Sequence, residues 1–312
     1  MKNERRDFIK KSLIGSAGIA ISGIGFNPNL YASITESYDH INLISALNSK
    51  EPLMKFGLVT YQWGKDWELP TLISNCETTG FQAIELRTQH AHKVETVLSA
   101  SQRSEVKKRF AGSPVTCVGY GSNFEYHNPD KAVLRENIEQ TKEYIKLCKD
   151  IGATGIKVKP NNLPSEIPYE KTIAQIAASL NEVGNFAGDQ GLLVRVEAHG
   201  PRTQELSVMK AIFEQVTDPN VKICWNSNSV DLNPPGIEAN FNMVKQWIGD
   251  TVHVRELNLN DYPYQQLFNF LAGIKFKGWI LLEASSTPVD KIAAMKEQLI
   301  IFNELMGRIS KE

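Results

Sequence analysis

The chain has 312 residues, enough for two average domains or for one closed α/β barrel, which commonly runs to about 250 residues. Hydrophobic residues make up 42% and charged residues 22%, an ordinary balance for a soluble globular protein. A formal net charge of −1 supplies no strongly basic face, which argues against general binding of nucleic acid and gives no reason to expect an acidic membrane surface as partner.

The N-terminal stretch differs from the rest. Arg5 and Arg6 precede Phe8, Ile9, Lys10 and Lys11, and a short Gly-, Ala- and Ile-rich run leads to small residues at Ala32 and Ser33. A basic start, a short apolar core and small residues make the pattern of a secretory signal. The paired arginines resemble the twin-arginine export signal. Residues 1–33 are therefore expected to be a signal peptide, residues 34–55 a hydrophilic tether, and the protein to be exported to the periplasm. An uncleaved anchor is the alternative, but the apolar run is short and Gly-rich for a membrane span. No stable membrane partner is expected after cleavage.

From Phe56 one grammar repeats. A short β-rich run ends in polar residues, and an amphipathic helical stretch follows. The first strand is FGLVTYQWG, with a helix from Trp67 to Thr79. The second is FQAIELRT, with a helix from Val94 to Phe110. The third is VTCVGYG, then a long helix from Lys131 to Ile151. The fourth is GIKVKP, then a helix from Tyr169 to Gln190. The fifth is LLVRVEAH, then Gln204 to Val216. The sixth is VKICWNSN, then Asn240 to Ile248. The seventh is TVHVREL, then Tyr264 to Ile274. The eighth is GWILLEA, then a closing helix from Val289 to Met306.

Eight β-then-α units predict a parallel sheet with helical crossovers, and eight is the number that closes a barrel. The expected fold is α/β, a single (β/α)8 TIM barrel over residues 56–312. An open doubly wound sheet is the alternative. It would carry a Gly-rich phosphate turn after its first strand, where this chain reads TYQWGKDWE. No G-x-G-x-x-G or P-loop sequence is present, so no nucleotide cofactor is expected. Cys76, Cys117, Cys148 and Cys224 lack C-x-x-C spacing and read as buried single thiols.

Successive strand residues point to opposite faces. Glu85 and Arg87 thus share a face, as do Lys157 and Lys159, and Arg195, Glu197 and His199. Charges on a covered face must be paired or must line a site. Arg195 and Lys222 sit early in their strands and read as internal pairs. The active-site face of a barrel is built from strand C-terminal ends and the loops after them. Five of the six histidines fall there, and only His40 lies outside. Glu197, Glu283, His90 and Lys159 are the candidate catalytic residues. The first three can exchange a proton beside a carbonyl, and the lysine can stabilise the oxyanion that forms. Glu85, Arg87, His92, Lys157, His199, Asn228, Arg255 and Glu256 are the candidate substrate-binding residues. Asn123, Glu125, His127 and Asn161 fall on the same face.

The segments GWILLEA with Glu283, VEAHG with Glu197, WNSNSVD, and VHVREL followed by YPYQQLF resemble those of the xylose-isomerase-like TIM barrels, also called sugar phosphate isomerase/epimerase proteins. ELRTQHAHKVE resembles an exported subgroup. The resemblance runs from Phe56 to the C terminus. It implies a pocket that often holds manganese, magnesium, cobalt or zinc through a Glu on strand five, an Asp on strand six, a His on strand seven and a Glu on strand eight. Glu197 and Glu283 match, whereas Asn226 stands at the Asp position. The H-x-H of strand seven appears as His253-Val254-Arg255, and the implied ligand position falls on Arg255. A guanidinium has no lone pair to offer a metal. The implied metal set is therefore Glu197, Asn226, His253 and Glu283, and a divalent cation persists only if His199, His253 or Glu256 enters its shell. Without one, Arg255 and the lysines supply the positive charge.

The implied function is that of an exported enzyme acting on a sugar or keto-sugar by proton abstraction next to a carbonyl. Isomerases, epimerases and lyases that β-eliminate 3-keto-glycosides share that step. The expected partner is a small carbohydrate, with no nucleic acid and no oligomeric state implied. A non-catalytic carbohydrate-binding protein on a degenerate barrel is the alternative. An endonuclease-IV-like repair enzyme is disfavoured by the neutral charge.

Overall fold

Strand pairing runs β1-β2-β3-β4-β5-β6-β7-β8 and closes from β8 back to β1, every pair parallel. The computed structural model describes residues 54–309. The expected signal peptide and nearly all of the tether lie outside the described residues. The strands are β1 Met54–Val59, β2 Ala83–Arg87, β3 Thr116–Glu125, β4 Gly155–Lys159, β5 Leu193–Glu197, β6 Val221–Asn226, β7 Ile248–Val254 and β8 Gly278–Leu282. The helices are α1 Leu69–Thr79, α2 Ala100–Ala111, α3 Lys131–Ile151, α4 Tyr169–Asp189, α5 Leu206–Phe213, α6 Ile237–Val244, α7 Tyr264–Gly273 and α8 Lys291–Gly307. The expected (β/α)8 barrel is therefore the observed one. No described helix is long and apolar enough to cross a membrane.

Several boundaries shift from expectation, and three of the shifts have a local reason. β1 starts at Met54 rather than Phe56, because Met54 and Lys55 pair with Gly278 and Trp279 of β8. α2 starts six residues late, because Ser99 and Gln102 form a capping box. The sixth helix begins at Ile237, ahead of Asn240, and gives way to a 3-10 turn at Lys245–Trp247, so β7 begins at Ile248.

Alternation divides the strands between two packing spaces. Phe56 faces the helices, stacking on Phe302 of α8 at 4.6 Å and touching Phe81 at 4.8 Å. The opposite parity fills the barrel, where Val59, Ala83, Val118 and Leu281 form a small apolar cluster. Charges occupy much of the remaining interior. Arg195 of β5 is fully buried and spans the barrel to Asp250 of β7, with Nε and Nη2 each 2.7 Å from a carboxylate oxygen. Its Nη1 also donates to the Val118 carbonyl at 2.9 Å. Gly119 and Gly155 make room for this guanidinium, since a Cβ at either would lie under 3.0 Å from Nη1. The internal pair expected for Arg195 is thus present. Lys222 is only half-buried and joins no ion pair among the described residues, which corrects its expected pairing. All four cysteines are buried free thiols.

Candidate active site

Above the arginine layer the inward parity of β2, β4, β5, β7 and β8 delivers a buried polar cluster. His253 of β7 is completely buried. Its Nε2 faces Glu85 Oε1 at 3.2 Å. Its Nδ1 lies 3.6 Å from Glu197 Oε1 and 3.4 Å from Glu283 Oε2. The other oxygen of each glutamate is already taken. Lys157 donates to Glu197 Oε2, and Arg87 Nη1 donates to Glu283 Oε1 at 2.7 Å. Asn226 Nδ2 reaches Glu197 Oε1 at 3.1 Å.

These contacts set the protonation states. Burial alone would raise Glu197, but the Lys157 ammonium and His253 hold it well below the usual carboxylate range. Burial and the Glu197 charge both push Glu283 up, yet His253 and Lys157 prevail and keep it lowered. Burial would lower Lys157, and the Glu197 carboxylate more than reverses that. Burial would also lower His253, but Cys224 and Glu85 raise it well above its ordinary value.

Over this floor opens a cavity of about 680 Å³, within the usual range of small-molecule sites. Lys159, His199, Asn226, Asn228, Arg87, Arg255 and Glu283 line it. Burial and the neighbouring Lys157 bring Lys159 down to about 8. Arg87 lies over the Tyr61 ring, 5.1 Å from its centroid. Arg255 pairs with Asp261 at the rim. Asn228 is held by the carbonyls of Ala198 at 2.8 Å and Asn226 at 3.1 Å.

Glu85 and Lys157, expected to bind substrate, are fully buried in the cluster beneath the cavity with Glu197 and His253, and three further expected residues also lie outside the cavity wall. His90 bonds Thr60 Oγ1 at 3.0 Å, and burial, helped by His92, lowers it to about 4. His92 spends both ring nitrogens on backbone, Nε2 on the Arg87 carbonyl at 2.8 Å and Nδ1 on the Val94 amide at 3.0 Å. It shapes the loop after β2 and has no nitrogen left for a ligand. Glu256 accepts from the amides of Ser285 and Ser286 at 3.1 and 2.7 Å, which fixes the loop after β8. On strand seven, His253 of the expected metal set is brought to the glutamates, whereas the ligand position implied at 255 is not. The residue that meets both glutamates is His253, not the residue at position 255, because β7 turns its 253 side chain into the barrel and ends at Val254. Tyr61, Gln204, Ser227 and Ser285 line the cavity without having been singled out from sequence. For Tyr61 a signal existed, since it continues the inward parity of Gly57 and Val59.

The xylose isomerase-like TIM barrel description matches residues 73–229, half of the chain. The chain belongs to the xylose isomerase-like TIM barrel family. No curated protein matches it. Among solved structures, the D-psicose 3-epimerase from Clostridium cellulolyticum H10, solved with D-tagatose, superposes with a TM-score of 0.69 at 15% identity, covering 81% of this chain and 99% of that one. A 3-keto-D-glucoside 4-epimerase from E. coli gives a TM-score of 0.67 at 14% identity, covering 80% and 99%. An L-ribulose 3-epimerase gives 0.67 at 17% identity, covering 81% and 95%. At these identities the likeness speaks for the fold.

The cluster in this xylose isomerase-like barrel suits a divalent cation. Glu197, His253 and Glu283 place ligand atoms within 4.8 Å of one another. His253 Nδ1 and Nε2 are buried with no hydrogen-bond partner, and so are both oxygens of Glu85. An imidazole with one nitrogen toward two carboxylates and the other toward a third carboxylate is the usual arrangement of a metal-ligating histidine and its outer partner. A cation there would displace the proton that His253 otherwise takes up. Asn226 can add an amide oxygen, because a half turn of its side chain exchanges oxygen for nitrogen.

Proposed function

We propose that this protein is a sugar-modifying enzyme of the isomerase and epimerase type, which removes a proton from the carbon beside a carbonyl of a sugar or keto-sugar. One observation carries the reading. Two carboxylates, Glu197 and Glu283, each turn one oxygen toward the same nitrogen of His253 beneath a cavity whose wall includes Lys159, Arg87 and Arg255. Membership of the family and the epimerase names of the neighbouring structures support it.

The roles follow from position and charge. Glu283 reaches the cavity and is ionised at neutral pH, so it is the group placed to accept the proton. Glu197 sits beneath, fixed by Lys157 on one oxygen and Asn226 on the other, with the Asn226-bound oxygen also facing His253. Lys159, poised near 8, gives a hydrogen bond to the oxygen that gathers charge as the proton leaves. Arg87 holds Glu283 in place. A divalent cation held by Glu197, His253 and Glu283 would polarise the substrate carbonyl as a Lewis acid. Isomerisation, epimerisation and β-elimination of a 3-keto-glycoside differ only after this first step. The Arg5-Arg6 start supports export to the periplasm, where free sugars and glycosides are more available than phosphorylated intermediates.

The test is deuterium exchange. The protein is incubated in D2O with ketohexoses, ketopentoses and 3-keto-glucosides, and the carbon beside each carbonyl is followed by NMR. Incorporation into at least one class supports the reading. Saturable sugar binding with no exchange and no product in any class would instead favour a carbohydrate-binding protein.

A further inference from the structure

Three residues outside the buried cluster form a line that ends at the cavity. Glu125 closes β3, Asn161 follows β4, and His199 follows β5 on the cavity wall. His199 Nδ1 lies 2.8 Å from Asn161 Oδ1. Asn161 Nδ2 donates to Glu125 Oε2. Glu125 is anchored through its backbone amide, which donates to Asn137 Oδ1 of α3 at 3.2 Å. On its other side His127 bonds the Pro160 carbonyl through Nδ1 at 3.1 Å and leaves Nε2 3.9 Å from Glu125 Oε1. The backbone holding the line is itself constrained. Asn161 adopts φ 69°, and Gly200, at φ 91°, packs so tightly on the Asn161 carbonyl that any Cβ would overlap it.

Donor and acceptor counting fixes the direction of this chain of bonds. A carboxylate accepts and does not donate. Asn161 therefore satisfies Glu125 only with its NH2 group, and this turns its carbonyl oxygen toward His199. That oxygen also accepts only, so the proton of a neutral His199 ring must sit on Nδ1. The remaining nitrogen, Nε2, then carries a lone pair, and His199 belongs to the cavity wall.

We propose that Glu125 and Asn161 are positioning residues that lock His199 in the Nδ1–H tautomer, so that Nε2 presents a hydrogen-bond acceptor to the cavity. The basic side chains of the wall, Lys159, Arg87 and Arg255, are donors, which suit a carbonyl or carboxylate oxygen. His199 is the complement. It accepts from a hydroxyl and disfavours an oxygen that bears no hydrogen, so a ligand must place a hydroxyl there. The hydroxyl rests on the sugar reading above, whereas the tautomer is a property of the protein alone.

Long-range proton–nitrogen NMR correlation of the 15N-labelled full chain at pH 8 reads the tautomer directly, with no substrate. His199 is assigned by the signals missing from His199→Gln. The expected pattern is a protonated Nδ1 and a pyridine-like Nε2; the reverse pattern overturns the proposal. Glu125→Gln changes one atom and can donate as well as accept, so it frees Asn161 to turn over. Loss of the single tautomer, with Nε2–H becoming populated, is expected there and in Asn161→Leu. An unchanged single tautomer in Glu125→Gln overturns the positioning role. Failure to find a sugar substrate leaves this result standing, so the two readings fail separately.

Discussion

Glu283 Oε2 stands 3.4 Å from His253 Nδ1, while Glu283 Oε1 is held 2.7 Å from Arg87 Nη1. One carboxylate thus serves two neighbours with separate oxygens. Arg87 fixes its orientation, and the free oxygen is left for the chemistry. Glu283→Gln keeps the shape and removes the charge. The expected result is a fall of at least about 100-fold in deuterium exchange, the usual scale for losing a positioned base. Thermal unfolding should change little. Wild-type exchange in this variant would remove Glu283 from the mechanism.

Metal affinity offers a test that needs no substrate. Glu85 touches the nitrogen of His253 that faces away from the two glutamates, so it orients the ring without ligating. Glu85→Gln should weaken Mn²⁺ or Co²⁺ binding by about 10- to 100-fold, measured by titration calorimetry. Arg255→His should leave the metal content unchanged, because position 255 lies at the rim beside Asp261. A gain of bound metal in Arg255→His would move the ligand position back to 255.

Lys159 gives the predicted pH dependence its sign. Its charge is lost as pH rises through about 8. If that charge steadies the developing oxyanion, kcat/KM declines on the alkaline side of about 8. Lys159→Arg keeps its charge throughout and should abolish this alkaline limb, at some cost in rate from altered geometry. A limb that persists unchanged in Lys159→Arg would assign it to another group.

Stability should respond at the opposite end of the barrel. Asp250 neutralises the fully buried Arg195. Asp250→Ala leaves that guanidinium unpaired and should cost about 3 kcal/mol, the low end for breaking a buried pair because Asp250 is 31% exposed. Burial would raise the Asp250 carboxyl, but Arg195 holds it below its ordinary value. A group with a depressed folded value stabilises above its unfolded value of about 3.9 and loses that contribution as pH falls through the folded one. Urea unfolding below about pH 4 should therefore show an acid-labile component that Asp250→Asn lacks.

The barrel was legible because inward and outward parity repeats in most strands, although a register shift in β3 interrupts it. Ile84 and Leu86 turn one way, Glu85 and Arg87 the other, and the same rule placed Lys157, Glu197 and Glu283 on one side. Helix starts were legible where a cap announced them, as at Asp130, and misplaced where the periodic pattern ran past the cap, as at Ser99. Alternation could not say how deep each inward side chain lies. Depth decided that His253, rather than Arg255, meets the glutamates. Nor could it show that His92 spends both nitrogens on nearby backbone, since that depends on how the loop after β2 folds over the ring.

Arg195 belongs to β5, but its counter-charge arrives only with β7. A chain that has assembled six strands holds a sequestered cation with no anion opposite it. The seventh strand is then drawn in by electrostatic need as well as by edge pairing. Partial cylinders should be poorly populated on that account, and fragments ending before Ile248 should fail to accumulate as ordered species.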